Sequence, residues 1–477
     1  TLGTGARVLA VGTGDGTDRL AAAAFLGGGF APGLLAAPEI GRPPYIQLVD
    51  VPATVLGFVA PTIPAAFLGR PVSLVAGSPT FSDRLASVRA AATASETRAR
   101  DFTPFVALLV GLQAAGWALL WWRWRRGAAA GEPPVDRRRL ALAAAGLGLA
   151  GLAAPAASFV ASLTHWPTSS MSMVILCGAT LAATVGLAAA AARSRPRGLL
   201  SPVAVVCVVS ALIIAFDLVF GSRLQFNGAL GYDAVTAGRF HGLGNLSSGL
   251  FTAVALLALA VVAQRQPGRR RAVVAAAGAV ALVVVIGAPA WGADVGGVLA
   301  AVPALTVLVL LLSGRRVSPR AVLLALVVAV AVVTALGLLD AARGPQRSGH
   351  LGRFFSSLRH GGAGTTVHRR LAADADLFLH SVWSPVLLVC ACLAIYLLVR
   401  PRPAVAALFA AAPELRAAAI AAAVVGVVGL VVNDSGLSVV AGVLLVVPPA
   451  VGAASAYHWL ILDERRADPI EPDAVLP

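Results

Sequence analysis

Eleven apolar stretches, most of them about 20 residues long, decide what this chain can fold into. A helix of about that length crosses the hydrocarbon core of a bilayer, and lipid admits only segments whose backbone hydrogen bonds close internally. The stretches are 103–122, 140–163, 171–192, 199–220, 246–263, 272–290, 295–312, 321–339, 377–399, 417–432 and 437–462. The shortest, 246–263 and 417–432, and the close pair around Trp291 carry the weakest signals. Residues 1–100 have a different texture. The chain is therefore expected to be an all-α polytopic membrane protein of about eleven transmembrane helices, preceded by a partial α/β extracytoplasmic segment. The expected divisions are 1–100, a membrane domain over 101–463 and a cytoplasmic tail over 464–477.

Charge sets the orientation. The net charge is +15 and every basic residue is Arg. A basic chain invites a nucleic-acid reading, but only 12% of residues are charged and the arginines stand in loops beside apolar runs. There they fix topology by the positive-inside rule. Alternate connections hold Arg123, Arg125, Arg126, Arg137, Arg138 and Arg139; Arg193, Arg195 and Arg197; Arg265, Arg269, Arg270 and Arg271; Arg315, Arg316 and Arg320; Arg400, Arg402 and Arg416; then Arg465 and Arg466. The intervening connections hold none near Trp166, two near Arg239, none near Asp294, six near Arg353 and none near Asp434. This pattern puts the C-terminus in the cytoplasm of a bacterium and residues 1–100 outside its plasma membrane. Trp121, Trp122, Trp166, Trp291 and Trp459 fall near span ends, as interfacial anchors do. Starting at Thr1 without Met, the chain is expected to begin inside a longer product. The run 21–37 contains Gly27, Gly28, Gly29 and Pro32 without a basic flank just before it, so it is not read as a signal peptide.

No chemistry is carried by cysteine or by a known fingerprint. Cys177, Cys207, Cys390 and Cys392 lie in apolar runs, and no Cys/His spacing fits a metal site. No P-loop, HExxH, GxSxG or dinucleotide motif is present. No metal or cofactor is expected.

In the first hundred residues, 7–12 reads as a short buried strand and 20–26 as another. Asp50 followed by Pro52 reads as a helix start with Asp50 as N-cap, the helix running to about Val59. Residues 82–100 read as an amphipathic stretch leading to the membrane. The run Tyr45-Ile-Gln-Leu-Val-Asp50-Val-Pro-Ala-Thr-Val-Leu, with Pro64 and Leu68-Gly-Arg-Pro71, resembles the closing helix of alkaline phosphatase superfamily domains. The resemblance covers about 30 residues and implies the C-terminal remnant of such a fold. It implies no activity: where that family places metal ligands this chain has Gly12-Thr-Gly-Asp15-Gly-Thr-Asp18 and no His, so Asp15 and Asp18 are read as turn residues. The distal chain is similar to a group of multi-pass, actinobacterial-like envelope proteins with a degenerate phosphatase-like domain ahead of their spans. The residues carrying that likeness are Gly231-Tyr-Asp233, Gly238-Arg239-Phe-His-Gly-Leu-Gly-Asn245, Gly292-Ala-Asp294-Val-Gly-Gly297 and Asn433-Asp434-Ser-Gly436. It implies architecture alone.

Polar residues other than the orienting arginines gather on the expected outer side, where an ionisable group near the membrane marks a functional candidate. Asp233, Arg239, His241, Asn245, Asp294, Asn433 and Asp434 are the candidate substrate-binding set. Arg239 offers a bidentate donor for phosphate or carboxylate, and a helix starting at Asn245 would present an anion-favouring N-terminus. Each has a bland alternative: Asp294 and Asn245 as helix caps, Asp434 in an Asx-turn, and Asp217 paired with Arg223. The 343–380 loop, with His350, His360, His368 and His380, reads as a surface segment facing anionic headgroups. Membrane lipids and an anionic, lipid-linked envelope substrate are the expected partners, and nucleic acid is not. Three functions stay open: group transfer to or movement of such a substrate, secondary transport of a small solute, and scaffolding of envelope assembly.

Overall fold

In the computed structural model, residues 6–467 are described except 13–18, 28–29, 39, 61, 65–66, 68, 78–79, 131–133, 236–238 and 343–382. The expected Asp15–Asp18 turn and the histidine-bearing loop lie outside the described residues.

The protein is a helical membrane bundle with a small α/β segment at its start. Two hairpins form that segment. β1 (Arg7–Val11) pairs antiparallel with β2 (Ala23–Gly27), and β3 (Gly33–Ala36) pairs antiparallel with β4 (Ser73–Ala76). β1 is half-exposed, not buried, because one partner strand covers only one edge. α1 (Asp50–Gly57) lies between β3 and β4 in sequence. Asp50 is its first helical residue and not its cap. Its carboxylate accepts from the backbone N–H of Gln47 and of Arg70, both at 3.0 Å, while Thr54 accepts from Val72 N–H at 2.9 Å. The acid and hydroxyl of the Asp50–Thr54 turn thus tie the returning chain to the helix. Gly69 is required there, since a side chain would collide with the Val49 carbonyl.

The membrane helices are α2 (Phe81–Ala130), α3 (Pro134–Ala161), α4 (Ser172–Ala192), α5 (Ser201–Val219), α6 (Asn245–Gln264), α7 (Arg269–Gly287), α8 (Val295–Leu312) and α9 (Pro319–Ala341). Then come α10 (Trp383–Val399), α11 (Pro403–Ala411), α12 (Pro413–Val432), α13 (Gly436–Leu444) and α14 (Val447–Ala467). Among the described residues ten helical stretches are long and apolar enough to cross a membrane, with α13 and α14 forming one of them. There are eleven if α10 and α11, bent by 66°, make one span. The connection expected between Arg400 and Arg416 therefore contains a helix, α11. Its run PAVAALFAA is too short to announce itself as a span, yet it buries Leu408 and Phe409.

Every span is apolar around its whole circumference, as a helix in lipid is. Burial separates them into an inner and an outer set. In α6, 78% of the apolar window is buried and in α8 61%, against 6% in α2 and 22% in α9. Leu323, Leu324, Val327 and Val330 of α9 present the surface that lipid covers. Small residues bring the inner helices together, the usual device where no hydrophobic force acts between helices. At Gly249 of α6 the main chain meets the Val439 carbonyl of α13, and at Gly442 of α13 it meets the Leu246 carbonyl of α6. Neither position has room for a Cβ.

α2 is one continuous helix of 50 residues, about 75 Å at 1.5 Å per residue. The amphipathic stretch and the first span expected as separate elements are a single rod. Trp166 is not an interfacial anchor: it is fully buried in the short turn between α3 and α4. Trp121 and Trp122 are exposed near the arginine-rich end, with Arg125 and Arg126 over their rings. At that end Glu464 joins two helix connections, accepting from Arg195 at 2.8 Å and from Arg138 at 3.2 Å.

Candidate functional site

The polar groups at the opposite, arginine-poor end form two clusters. The first fixes the 220–244 connection between α5 and α6. Asp217, in the last turn of α5, accepts from Leu224 N–H at 2.7 Å, Gln225 N–H at 3.2 Å and the Gln225 side chain at 3.1 Å. It closes a turn, and these bonds stand where an ion pair with Arg223 was expected. Ser222 takes a positive φ of 55° in that turn.

Asp233 is completely buried and pairs with Arg98 of α2 at 2.7 Å. Arg98 also donates to the Gly231 carbonyl at 2.8 Å, and Asp233 accepts from Val235 N–H at 2.8 Å. Arg42 of the N-terminal segment reaches across to the carbonyls of Phe240, Gly221 and Ser222, its guanidinium 4.6 Å from the Phe226 ring centre. Tyr45, Phe226 and Phe240 pack edge-on and tilted beside it. The N-terminal segment is thereby clamped onto the connection that carries Arg239.

The second cluster collects the other candidates. Leu243 N–H donates to the Gly292 carbonyl at 2.7 Å, lacing the chain before α6 to the hairpin between α7 and α8. Gly242, at φ 84°, lies against that same carbonyl and has no room for a side chain. Ala293 adopts φ 47°, uncommon for a residue with a Cβ, and so aims Asp294 at the start of α8. Asp294 is the N-cap of α8: its Oδ1 accepts from Gly297 N–H at 2.9 Å. Asn433 comes over the same turn, since a Cβ on Gly296 would collide with its side-chain oxygen. A Cβ on Gly297 would meet Asp294 Oδ2 and the Ser248 hydroxyl. Gly296 and Gly297 thus make space for three polar side chains.

Asn245 does not cap α6; Gly244 occupies the cap position, and the Asn245 amide donates to Asp434 Oδ1 at 2.7 Å instead. That bridge, at the exposed edge of the cluster, replaces the Asx-turn expected of Asp434. His241 is half-buried. Burial, with Arg239 and Arg42 nearby, holds its pKa below the ordinary histidine value. Burial also raises the Tyr232 phenol to about 12, and its hydroxyl donates to the Gly242 carbonyl at 2.9 Å.

Unmet hydrogen bonding is concentrated in the second cluster; in the first, Arg98 Nε is also without a partner. Asp294 Oδ2, Asn433 Nδ2 and Arg239 Nη1 are all buried, and none has a partner. Asp294 is 2% exposed and Asn433 7%. Buried polar groups are nearly always satisfied, so three orphans near one helix start mark a candidate binding site. Burial lifts the Asp294 carboxyl above the usual carboxylate range, an effect opposed in part by Arg239, the Gly297 N–H and the Ser248 hydroxyl. The N-termini of α6, α8 and α13 meet here, each adding partial positive charge.

The structure therefore gathers Arg239, Asp294 and Asn433, rims them with Asn245, Asp434 and His241, and engages Asp233 elsewhere. Among the described residues no group of three His, Cys, Asp or Glu is placed to hold a metal ion. Ser248, Arg42 and Arg98 were not legible as site or support. Ser248 is one of two serines opening an apolar run, and Arg98 meets Asp233 across 135 positions. Two donors and one acceptor, with helix N-termini behind them, can bind an oxyanion and orient it. No family model, no curated protein and no solved structure matches this chain.

Proposed function

We propose that this membrane protein sits in the bacterial plasma membrane with its arginine-poor end outward, and that this end binds an anionic envelope substrate. The substrate is lipid-linked, and the protein transfers a group from it or moves it. The observation that carries the reading is the set of unpartnered buried atoms on Arg239, Asp294 and Asn433, set among three helix N-termini. An anion there gains charge-assisted hydrogen bonds in a dry setting, where they are strongest. The one-sided distribution of arginine supports the outward orientation.

The test uses purified protein in lipid nanodiscs with polyprenyl-phosphate-linked sugars, following both binding and turnover. Arg239→Ala and Asn433→Leu are expected to lower affinity by about tenfold or more each, the loss of one charge-assisted bond. Unchanged binding in the double variant removes the site. Labelling of an engineered cysteine at position 434 by an impermeant reagent in intact cells checks the orientation.

A further inference from the structure

We infer that the anion taken by this site is one that shares a proton with Asp294, a phosphate monoester or inorganic phosphate, and that Asp294 excludes fully ionised oxyanions such as sulfate and phosphodiesters. The inference rests on the anion-binding reading above and names its ligand class.

The argument is one of valence. Arg239 Nη1 and Asn433 Nδ2 are donors and call for ligand oxygens. Asp294 Oδ2 lies in the same cluster and has no proton of its own when ionised. Its other oxygen is already fixed by the Gly297 N–H at 2.9 Å, so the carboxylate cannot turn away. An oxyanion drawn to the two donors thus meets a carboxylate oxygen that no cation pairs among the described residues and that has the Ser248 hydroxyl as its near neighbour. Two anionic oxygens at contact repel in a buried setting unless a proton stands between them. Hydrogen phosphate brings that proton on its own P–OH. A monoester dianion takes one up on binding. Sulfate and a diester have none to give near neutral pH and enter only when Asp294 itself is protonated. No covalent bond changes; one proton is held between ligand and carboxyl.

The neighbours of Asp294 fit this assignment. The chain before α6 contributes Arg239 and half-buried His241, and α6 contributes uncharged Asn245 and Ser248. The α12–α13 turn contributes Asp434, which already accepts from Asn245. On α9, which packs on α8, buried Asp340 ends the helix with an interaction of its own. The end of α7 and its hairpin, 286–293, have no titratable residue. Arg239 is therefore the one fixed cation that bears on Asp294 among these groups. It offsets one of the negative charges that ligand and carboxylate bring together, so a proton held between their oxygens relieves the contact that no second cation relieves.

The experiment titrates the full chain in nanodiscs with inorganic phosphate and with sulfate, at about pH 8 and about pH 6. Wild type should bind phosphate at both, and sulfate about a hundredfold more weakly at the higher pH, since a site built around a ligand hydroxyl rejects the analogue lacking it. The gap should narrow as the pH is lowered toward and through the raised pKa of Asp294. Asp294→Asn supplies a permanent N–H donor and should bind the two anions within about threefold of each other at both pH values. In His241→Gln, whatever its affinity, the ratio of phosphate to sulfate binding should still change with pH; loss of that change would assign the proton to His241 and overturn the inference. If Asp294→Asn fails to fold, the rise of sulfate affinity on acidification in wild type carries the test. Equal binding of phosphate and sulfate by wild type at the higher pH overturns the inference and leaves the anion site standing, whereas binding of neither removes the site itself. Nanodiscs containing phosphatidic acid, a monoester, are compared with phosphatidylglycerol, a diester. Competition with phosphate by the first alone supports a lipid headgroup as ligand, no competition by either supports free phosphate, and equal competition by both overturns the choice of monoester.

Discussion

The two polar clusters at the arginine-poor end treat their hydrogen bonds in opposite ways. Around Asp217 and Asp233 each carboxylate has several donors, and for Asp233 one of them, Arg98, comes from a distant part of the chain. Around Asp294 three polar atoms are equally hidden from water and have nothing. A protein tolerates unmet polar groups at about 1–3 kcal/mol each only where something else makes use of them. The first cluster holds the fold and the second is held by it.

Substitution should separate the two. The largest effect is expected from Asp233→Ala, which leaves the Arg98 charge buried and unpaired; a loss of about 3–5 kcal/mol should appear as a sharp fall in melting temperature in detergent. An unchanged melting temperature would mean the pair is not structural. Asp217→Ala comes next. It strands the Leu224 and Gln225 N–H groups, for about 2–3 kcal/mol by the same measurement.

The third contrast is in pH. Because the folded pKa of Asp294 is raised, its protonation favours the folded state at low pH, and that stability drains away as pH rises through the folded value. One proton limits the slope to about 1.4 kcal/mol per pH unit. Asp294→Asn should flatten stability above the ordinary carboxylate range, and an unaltered slope would place the titration elsewhere. Asn433→Leu removes a donor without a partner, so stability should shift by less than about 1 kcal/mol, in either direction, while anion affinity falls by about tenfold or more. A large destabilisation there would return Asn433 to the structural cluster. Asp434→Ala, at the exposed rim, should stay within about 0.5 kcal/mol.

The spans were legible because a lipid-crossing helix needs a long apolar run, and 295–312 was read to the residue. Their inner or outer placement was not: α6 and α9 are both apolar all round, and only packing distinguishes them. Helix α11 hid in nine residues between arginines. At the site, the Asp294 cap followed from local spacing, because a cap is a contact of three residues. The bond between Asn245 and Asp434, and the pairing of Asp233 with Arg98, join positions 189 and 135 apart, which no local pattern encodes. The signal for the orphan cluster was present in Gly296 and Gly297, small residues beside an acid, but its meaning needed Asn433 in place above them.

The glycine contacts between α6 and α13 bear on how such a site would open. With peptide pressed on peptide at both Gly249 and Gly442, these helices form a welded seam that cannot slide without collision. Ligand entry and exit at the proposed site would then come from the other wall, by a tilt of α8 with its hairpin or a peeling of the segment that carries Arg239. A crosslink across the seam should leave exchange rates untouched, and one tethering residue 239 to α8 should arrest them.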